Sequence, residues 1–247
     1  MTEKYNRFWE LDFLRGIAIV IMIVYHFLCD LYYFGLPHPA LTTGIWIYVQ
    51  RISASTFLFL VGISLTISYS RAFAKGKHQF SKYLFRGLKI FSWGFAITVI
   101  TWIFYGDKFI IFGVLHFIGV AIILAYPFLR YRVLNLVLGV IIVVFGALLN
   151  RLTFGFRWLI WLGFKPEKFY YLDYFPLLPW FGIVLVGVFA GNTLYKYPVR
   201  QFKLWNLEKV PFIKFFRFLG LHSLFIYLIH QPILVFILYA IGVNVGF

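Results

Sequence analysis

The chain has 247 residues, 62% of them hydrophobic and 23% aromatic, with a formal net charge of +15, and its mean hydropathy is +0.87. That is more apolar surface than a soluble core of this size hides, so a water-soluble globular domain is excluded and a polytopic membrane protein is predicted. The positive charge lies between apolar runs rather than along one face, so it points to membrane topology and anionic headgroups, and no nucleic-acid partner is expected.

In chain order, runs long enough to cross a ~30 Å hydrocarbon layer lie at roughly 13–35, 45–70, 84–106, 109–129, 133–150, 176–195 and 218–244. The predicted fold class is therefore all-α, a membrane helix bundle of about seven transmembrane helices, and residues 1–247 are predicted to form a single membrane-embedded domain. Lys4 and Arg7 precede the first run as in a signal peptide, but no small-residue cleavage site follows, so that run is expected to be retained. Its Cys29 is the only cysteine, which excludes an intrachain disulfide. Connections at 36–44, 106–108 and 130–132 are short and predict antiparallel neighbours. The stretch Phe154–Phe164, with Trp158 and Trp161, is too short to span and predicts a short interfacial or re-entrant helix. Gly182, Gly187 and Gly191 in the sixth run predict tight helix packing.

The Lys and Arg of the connections divide fifteen to five between alternate sides of the membrane, the larger group falling in the N-terminus and the 71–86, 130–132 and 196–217 connections. The rule that basic loops stay inside then places the N-terminus in the cytoplasm and, with seven spans, the C-terminus outside.

Ionisable side chains are costly in a membrane span, about 2.5–3.5 kcal/mol each for Asp or Arg on insertion scales, and mark functional sites. The first run carries Asp12, Arg15, His26 and Asp30. Counting ~1.5 Å per residue from the cytoplasmic edge puts His26 about 20 Å deep, His230 about 18 Å and His116 again about 20 Å, so three histidines are expected to share one layer. Each could instead be a core histidine bonded to a backbone carbonyl. Asp30, one turn from His26 on the same face, is expected to fix the imidazole tautomer and raise its basicity, as for a general base. In the last run Ser223, Tyr227 and His230 fall on one face, Gln231 points about 100° away, and Pro232 frees the Leu228 carbonyl. Asp12 and Arg15 fit either an ion pair at a helix end or a grip on a phosphate from the cytosol. His38 in its Pro37-His-Pro39 loop and His78 among lysines fit solvated surface residues, and His222 fits the cytoplasmic edge. No zinc-type spacing is present, so no metal is expected.

The segments Trp9-Glu-Leu-Asp-Phe-Leu-Arg-Gly16 with His26 and Asp30, Phe57-Leu-Phe-Leu-Val-Gly-Ile-Ser64, Gly113-Val-Leu-His-Phe-Ile-Gly119, Phe175-Pro-Leu-Leu-Pro-Trp-Phe-Gly182 and Gly220 to Pro232 resemble the heparan-α-glucosaminide N-acetyltransferase catalytic-domain family, in its short prokaryotic form within the transmembrane acyltransferase superfamily. The resemblance implies transfer of an acyl group, acetyl above all, from cytosolic acyl-CoA to a hydroxyl or amine of an extracytoplasmic sugar or glycolipid. Arg15 and His26 correspond to the superfamily's Arg/His pair. The family also implies a histidine in the luminal loop that follows, where this chain offers His38, so His26 and His38 stand as alternatives for the base. The candidate catalytic set is His26, Asp30, His116, His230, Ser223 and Tyr227. Arg15 and Asp12 are candidates for the acyl-CoA, and His38 and Gln231 for the acceptor. The expected partners are the bilayer of the cell membrane, the acyl donor and the glycan, with a homodimer left open. The rival reading is a proton-coupled transporter using the His/Asp layer as a relay.

Overall fold

The computed structural model describes residues 7–41, 44–77, 79–167, 169, 173–196 and 199–243. His78 and the N-terminal Lys4 lie outside them. Among the described residues there are eight α-helices: α1 Trp9–Tyr33, α2 Ile45–Phe73, α3 Phe80–Tyr105, α4 Val114–Ala125, α5 Val133–Leu149, α6 Leu177–Leu194, α7 Pro211–Leu221 and α8 Ser223–Ala240. The only paired strands among them are the two-residue segments Tyr195–Lys196 and Val199–Arg200. The chain is an all-α membrane helix bundle. Five helices, α1, α2, α3, α6 and α8, are long and apolar enough to cross a membrane, and α4 with its following turn and α5 are shorter apolar helices.

Two of the predicted elements take other forms. The stretch Phe154–Phe164 is a loop closed by a bond from the Phe154 amide to the Lys165 carbonyl, 2.9 Å, and its helical part is the single 3-10 turn Ile160–Leu162. The Tyr174 hydroxyl donates to the Ile160 carbonyl at 2.7 Å, and burial pushes this phenol's pKa up. The basic connection 196–217 is not loop throughout, because Pro211 starts α7, where its missing N–H costs nothing. The path from α7 into α8 breaks only at His222 (φ −102, ψ 14), and the Ile226 amide still reaches the His222 carbonyl at 2.9 Å.

The chain divides into two compact units, Met1–Phe57 with Leu204–Phe247, and Leu58–Lys203. In the first, α1 begins with Glu10 and Asp12, whose charge suits the positive end of the helix dipole. It stops at Gly35 (φ 71), where the Leu36 amide turns back to the Leu31 carbonyl at 2.8 Å, a cap that a left-handed glycine permits. The Ser53 hydroxyl donates to the Ala18 carbonyl at 2.9 Å and ties the start of α2 to α1.

In the second unit glycine contacts set the helix spacing, as the sixth run predicted. A Cβ added at Gly182 would lie 2.5 Å from the Gly139 carbonyl oxygen, one at Gly187 2.2 Å from that of Phe59, and one at Gly191 2.8 Å from the Thr66 side chain. Gly87 and Gly119 make the equivalent contact between α3 and α4. With lipid as apolar as leucine, close backbone approach of this kind is what holds membrane helices together.

Candidate functional site

In α1, successive residues turn by about 100°, so Arg15, His26 and Asp30 fall within a narrow stripe, with Asp12 beside them. The same count aligns Ser223, His230, Leu234 and Leu238, all buried, along α8. Between these stripes the two imidazoles meet, with Nε2 of His230 3.2 Å from Nδ1 of His26 and the ring centroids 4.9 Å apart.

The tautomers follow from one contact. Nδ1 of His230 lies 2.6 Å from the Tyr227 carbonyl, which only accepts, so this nitrogen carries a proton. In neutral His230, Nε2 is then the acceptor, and Nδ1–H of His26 donates to it. Nε2 of His26 is left with its lone pair and has no hydrogen-bond partner among the described residues. A neutral imidazole, oriented through its other nitrogen and free at Nε2, is the arrangement of a general base.

The Asp30 carboxylate, expected to orient His26, bonds instead to α8. It is buried, and its Oδ1 accepts from Nε2 of Gln231 at 2.5 Å, so α8 supplies both the histidine that orients His26 and the amide that takes the carboxylate. Ser223 is the first residue of α8, about 10 Å along the axis before His230, and Tyr227 lies one turn before it, its ring 5.4 Å from the imidazole.

The register of these helices is set below the histidines. An added Cβ at Gly16 would lie 1.8 Å from the Phe216 carbonyl oxygen, and one at Gly220 would lie 1.7 Å from that of Asp12. Each glycine thus sits over the carbonyl four residues before the other, which is parallel packing of α7 on α1. His26 and His230 are 204 positions apart, as are Gly16 and Gly220, so one register carries both contacts. The sequence signal was available, because each helix path places a histidine ten residues after its glycine.

Arg15 and Asp12 form the ion pair that was one of their two readings, with Nη1 of Arg15 2.7 Å from Oδ1 of Asp12. The Asp12 side chain is buried and that of Arg15 retains 21% exposure. Arg15 stands about 16 Å before His26 along α1 and on the same face. His38 is exposed, its Nδ1 bonded to the Pro39 carbonyl at 2.8 Å and its ring edge-on to Tyr32. His222 is also exposed, with Nδ1 2.9 Å from the Phe218 carbonyl.

His116 belongs to the second unit and both its ring nitrogens are used there. Nδ1 accepts from the Gly113 amide at 3.2 Å, half of a capping box at the start of α4, so the proton sits on Nε2, 3.3 Å from the Thr98 hydroxyl. Thr98 passes its own proton to the Ile110 carbonyl at 2.6 Å. The ring stacks on Phe112 and meets Phe91 edge-on. The Val114 amide is capped in turn by Oδ2 of Asp173 at 3.3 Å. The three histidines that the count along the helices groups together thus have two different settings, and the one around His116 builds a helix terminus. Among the described residues no group of three or more His, Cys, Asp or Glu could hold a metal ion.

A histidine pair on apolar helices, with an Asp/Arg ion pair on the same face of α1, is compatible with several chemistries, and comparison with known families narrows them. The model of the heparan-alpha-glucosaminide N-acetyltransferase catalytic family matches residues 7–232. The chain belongs to this family. The match takes in α1 to α7 and α8 as far as Pro232, and with it His26, His230, Asp30 and Gln231. No curated protein and no solved structure matches the chain.

Proposed function

We propose that this chain is a single-domain acyltransferase of the cell membrane that moves an acyl group, acetyl in the simplest case, from cytosolic acyl-CoA to a hydroxyl or amine of an extracytoplasmic sugar or glycolipid. The observation that carries the reading is the His26–His230 pair, inside apolar helices of a chain that belongs to an N-acetyltransferase family. The division of basic residues supports a cytoplasmic N-terminus and an extracytoplasmic C-terminus.

Arg15 holds a phosphate of the acyl-CoA near the cytoplasmic end of α1, and the pantetheine arm runs the ~16 Å of that face toward His26. Nε2 of His26 takes the proton of the acceptor O–H or N–H as the heteroatom attacks the thioester carbonyl. The tetrahedral intermediate collapses with loss of the CoA thiolate, which takes that proton back from His26, so acylated acceptor and free CoA leave. While His26 is an imidazolium, its Nδ1–H···Nε2 bond to His230 spreads the charge over both rings. Tyr227, and Ser223 nearer the cytoplasmic end, are the hydroxyls along α8 that stabilise the oxyanion and position the thioester. His116 is left out of this set because the Gly113 amide and the Thr98 hydroxyl of α3 take both its nitrogens.

Proteoliposomes loaded with labelled acetyl-CoA, with a sugar acceptor outside, test the reading. Acylated acceptor outside, CoA retained inside and a reporter after Phe247 on the outer face are the expected results. Gradient-dependent uptake of the sugar without acylation would replace the enzyme by a transporter.

A further inference from the structure

Asp30 and Gln231 satisfy only half of one another. The amide of Gln231 fills Oδ1 of Asp30, while Oδ2 of Asp30 and Oε1 of Gln231 are buried without a hydrogen-bond partner among the described residues. Asp30 is only 7% exposed. An unmet buried acceptor costs about 1–3 kcal/mol, and a bilayer offers no donors to relieve it. Pro232, next to Gln231, has no N–H to offer as a donor. Every shortfall is of donors. A metal ion is a poor match, because two oxygens are too few and no metal-binding group is present among the described residues. Hydroxyl groups of a ligand meet the need.

The place fits an acceptor. Asp30 lies one turn, about 6 Å, beyond His26 along α1, and Gln231 directly follows His230. With the N-terminus in the cytoplasm, this is the outer side of the imidazole pair. Resting on the acyltransferase reading, we infer that Asp30 and Gln231 form the acceptor subsite, and that they recognise a polyol such as a sugar ring by a hydroxyl next to the group that is acylated. The neighbouring O–H donates to Oδ2 of Asp30, a second donor meets Oε1 of Gln231, and the reacting group faces Nε2 of His26. A carboxylate bound to the reacting nitrogen itself would hold it as an unreactive ammonium, so Asp30 is matched to the neighbour. Asp30 and Gln231 are positioning residues and take no proton from the reaction.

The full chain in lipid nanodiscs, with methyl glucosaminide and its analogue lacking the hydroxyl next to the amino-bearing carbon, tests this by two readouts. In thermal unfolding, methyl glucosaminide should raise the midpoint of the wild type but not of Asp30→Asn or Gln231→Leu, while acetyl-CoA should raise all three alike. In acetyl transfer, Asp30→Asn should raise the KM for methyl glucosaminide about 10- to 100-fold, and the analogue should erase most of the difference between variant and wild type. Wild-type protein that gives no transfer but an Asp30-dependent midpoint shift would remove the acyltransferase reading and keep the subsite. Transfer with the same KM in all three proteins would do the reverse. A variant that lowers kcat alone, a penalty that persists on the analogue, or a wild-type midpoint that neither sugar moves would each overturn the subsite.

Discussion

His26 and His116 are both histidines on apolar helices with aromatic rings beside them, yet their nitrogens are used in opposite ways. His116 spends Nδ1 on the Gly113 amide and Nε2 on the Thr98 hydroxyl, closing the start of α4. His26 spends Nδ1 on His230, which is held by the Tyr227 carbonyl, and keeps Nε2 for something else. A count of residues along apolar helices therefore does not separate a histidine that closes a helix terminus from one with a nitrogen left over. What separates them is whether the second nitrogen is already taken.

Replacing each histidine by alanine should split the two roles and gives the largest effect. His26→Ala should lower acyl transfer by about 10²- to 10⁴-fold, the usual contribution of a general base, while the protein still inserts and folds. His116→Ala should cost about 1–3 kcal/mol of stability by orphaning the Gly113 amide and Thr98, with turnover per folded molecule nearly unchanged. Thermal unfolding and single-turnover transfer on the same preparations decide it. Near-wild-type turnover in His26→Ala would break the comparison.

How far the sequence foretold this follows from the same residues. The polar stripe of α1 was legible because ionisable groups in an apolar run stand out whatever packs on them, and His26 and His230 count to one depth because the rule for basic loops starts both helix paths from the same side. Depth says nothing of partners, so the same count drew in His116, whose two partners come from the local turn at Gly113 and from α3. One-turn spacing put Asp30 on the face of His26, but Gln231 of α8 took its carboxylate, a choice only the neighbouring helix could make. The α7 helix was hidden by composition. Six Lys and Arg over 196–217 outweighed its apolar residues, and Gly220, which seats it on α1, was assigned to the last span.

The shared register predicts the next effect. Gly220→Ala places a methyl group 1.7 Å from the Asp12 carbonyl oxygen, an overlap that only movement of the α7 backbone relieves. Overpacking of this kind costs about 1–3 kcal/mol. Because the same register brings His230 to His26, turnover should fall along with the unfolding midpoint. In Gly76→Ala, where nothing stands within 4 Å of the added carbon, strain at φ +65 should lower stability with turnover per folded molecule retained.

Arg15 sharpens the contrast at the N-terminal end of α1. If it grips a phosphate, Arg15→Ala should weaken acetyl-CoA binding about tenfold or somewhat more, as loss of a charge-assisted hydrogen bond does, with the acceptor KM unmoved. Arg15→Lys should recover only part of that affinity, since an ammonium lacks the planar fork. Calorimetric titration with acetyl-CoA separates this from the ion-pair role, for which both variants would bind acetyl-CoA normally and insert poorly.

The smallest effect is expected at His38, the alternative base. It is exposed, its Nδ1 is bonded to the Pro39 carbonyl, and its ring leans on Tyr32, both partners within the local chain. Removing it should shift stability by no more than about 0.5 kcal/mol, as for most surface positions. If His26 is the base, His38→Ala should leave kcat within a few-fold of wild type and affect at most the acceptor KM, because the proton acceptor and its orienting partner are both intact on α1 and α8. If His38 were the base, the same change would lower kcat by the ~10²- to 10⁴-fold assigned to His26, and His26→Ala would be the mild variant. Measuring kcat and acceptor KM for both single variants and the double variant therefore ranks the two histidines on one scale, and a double variant no worse than His26→Ala places the base inside the helices.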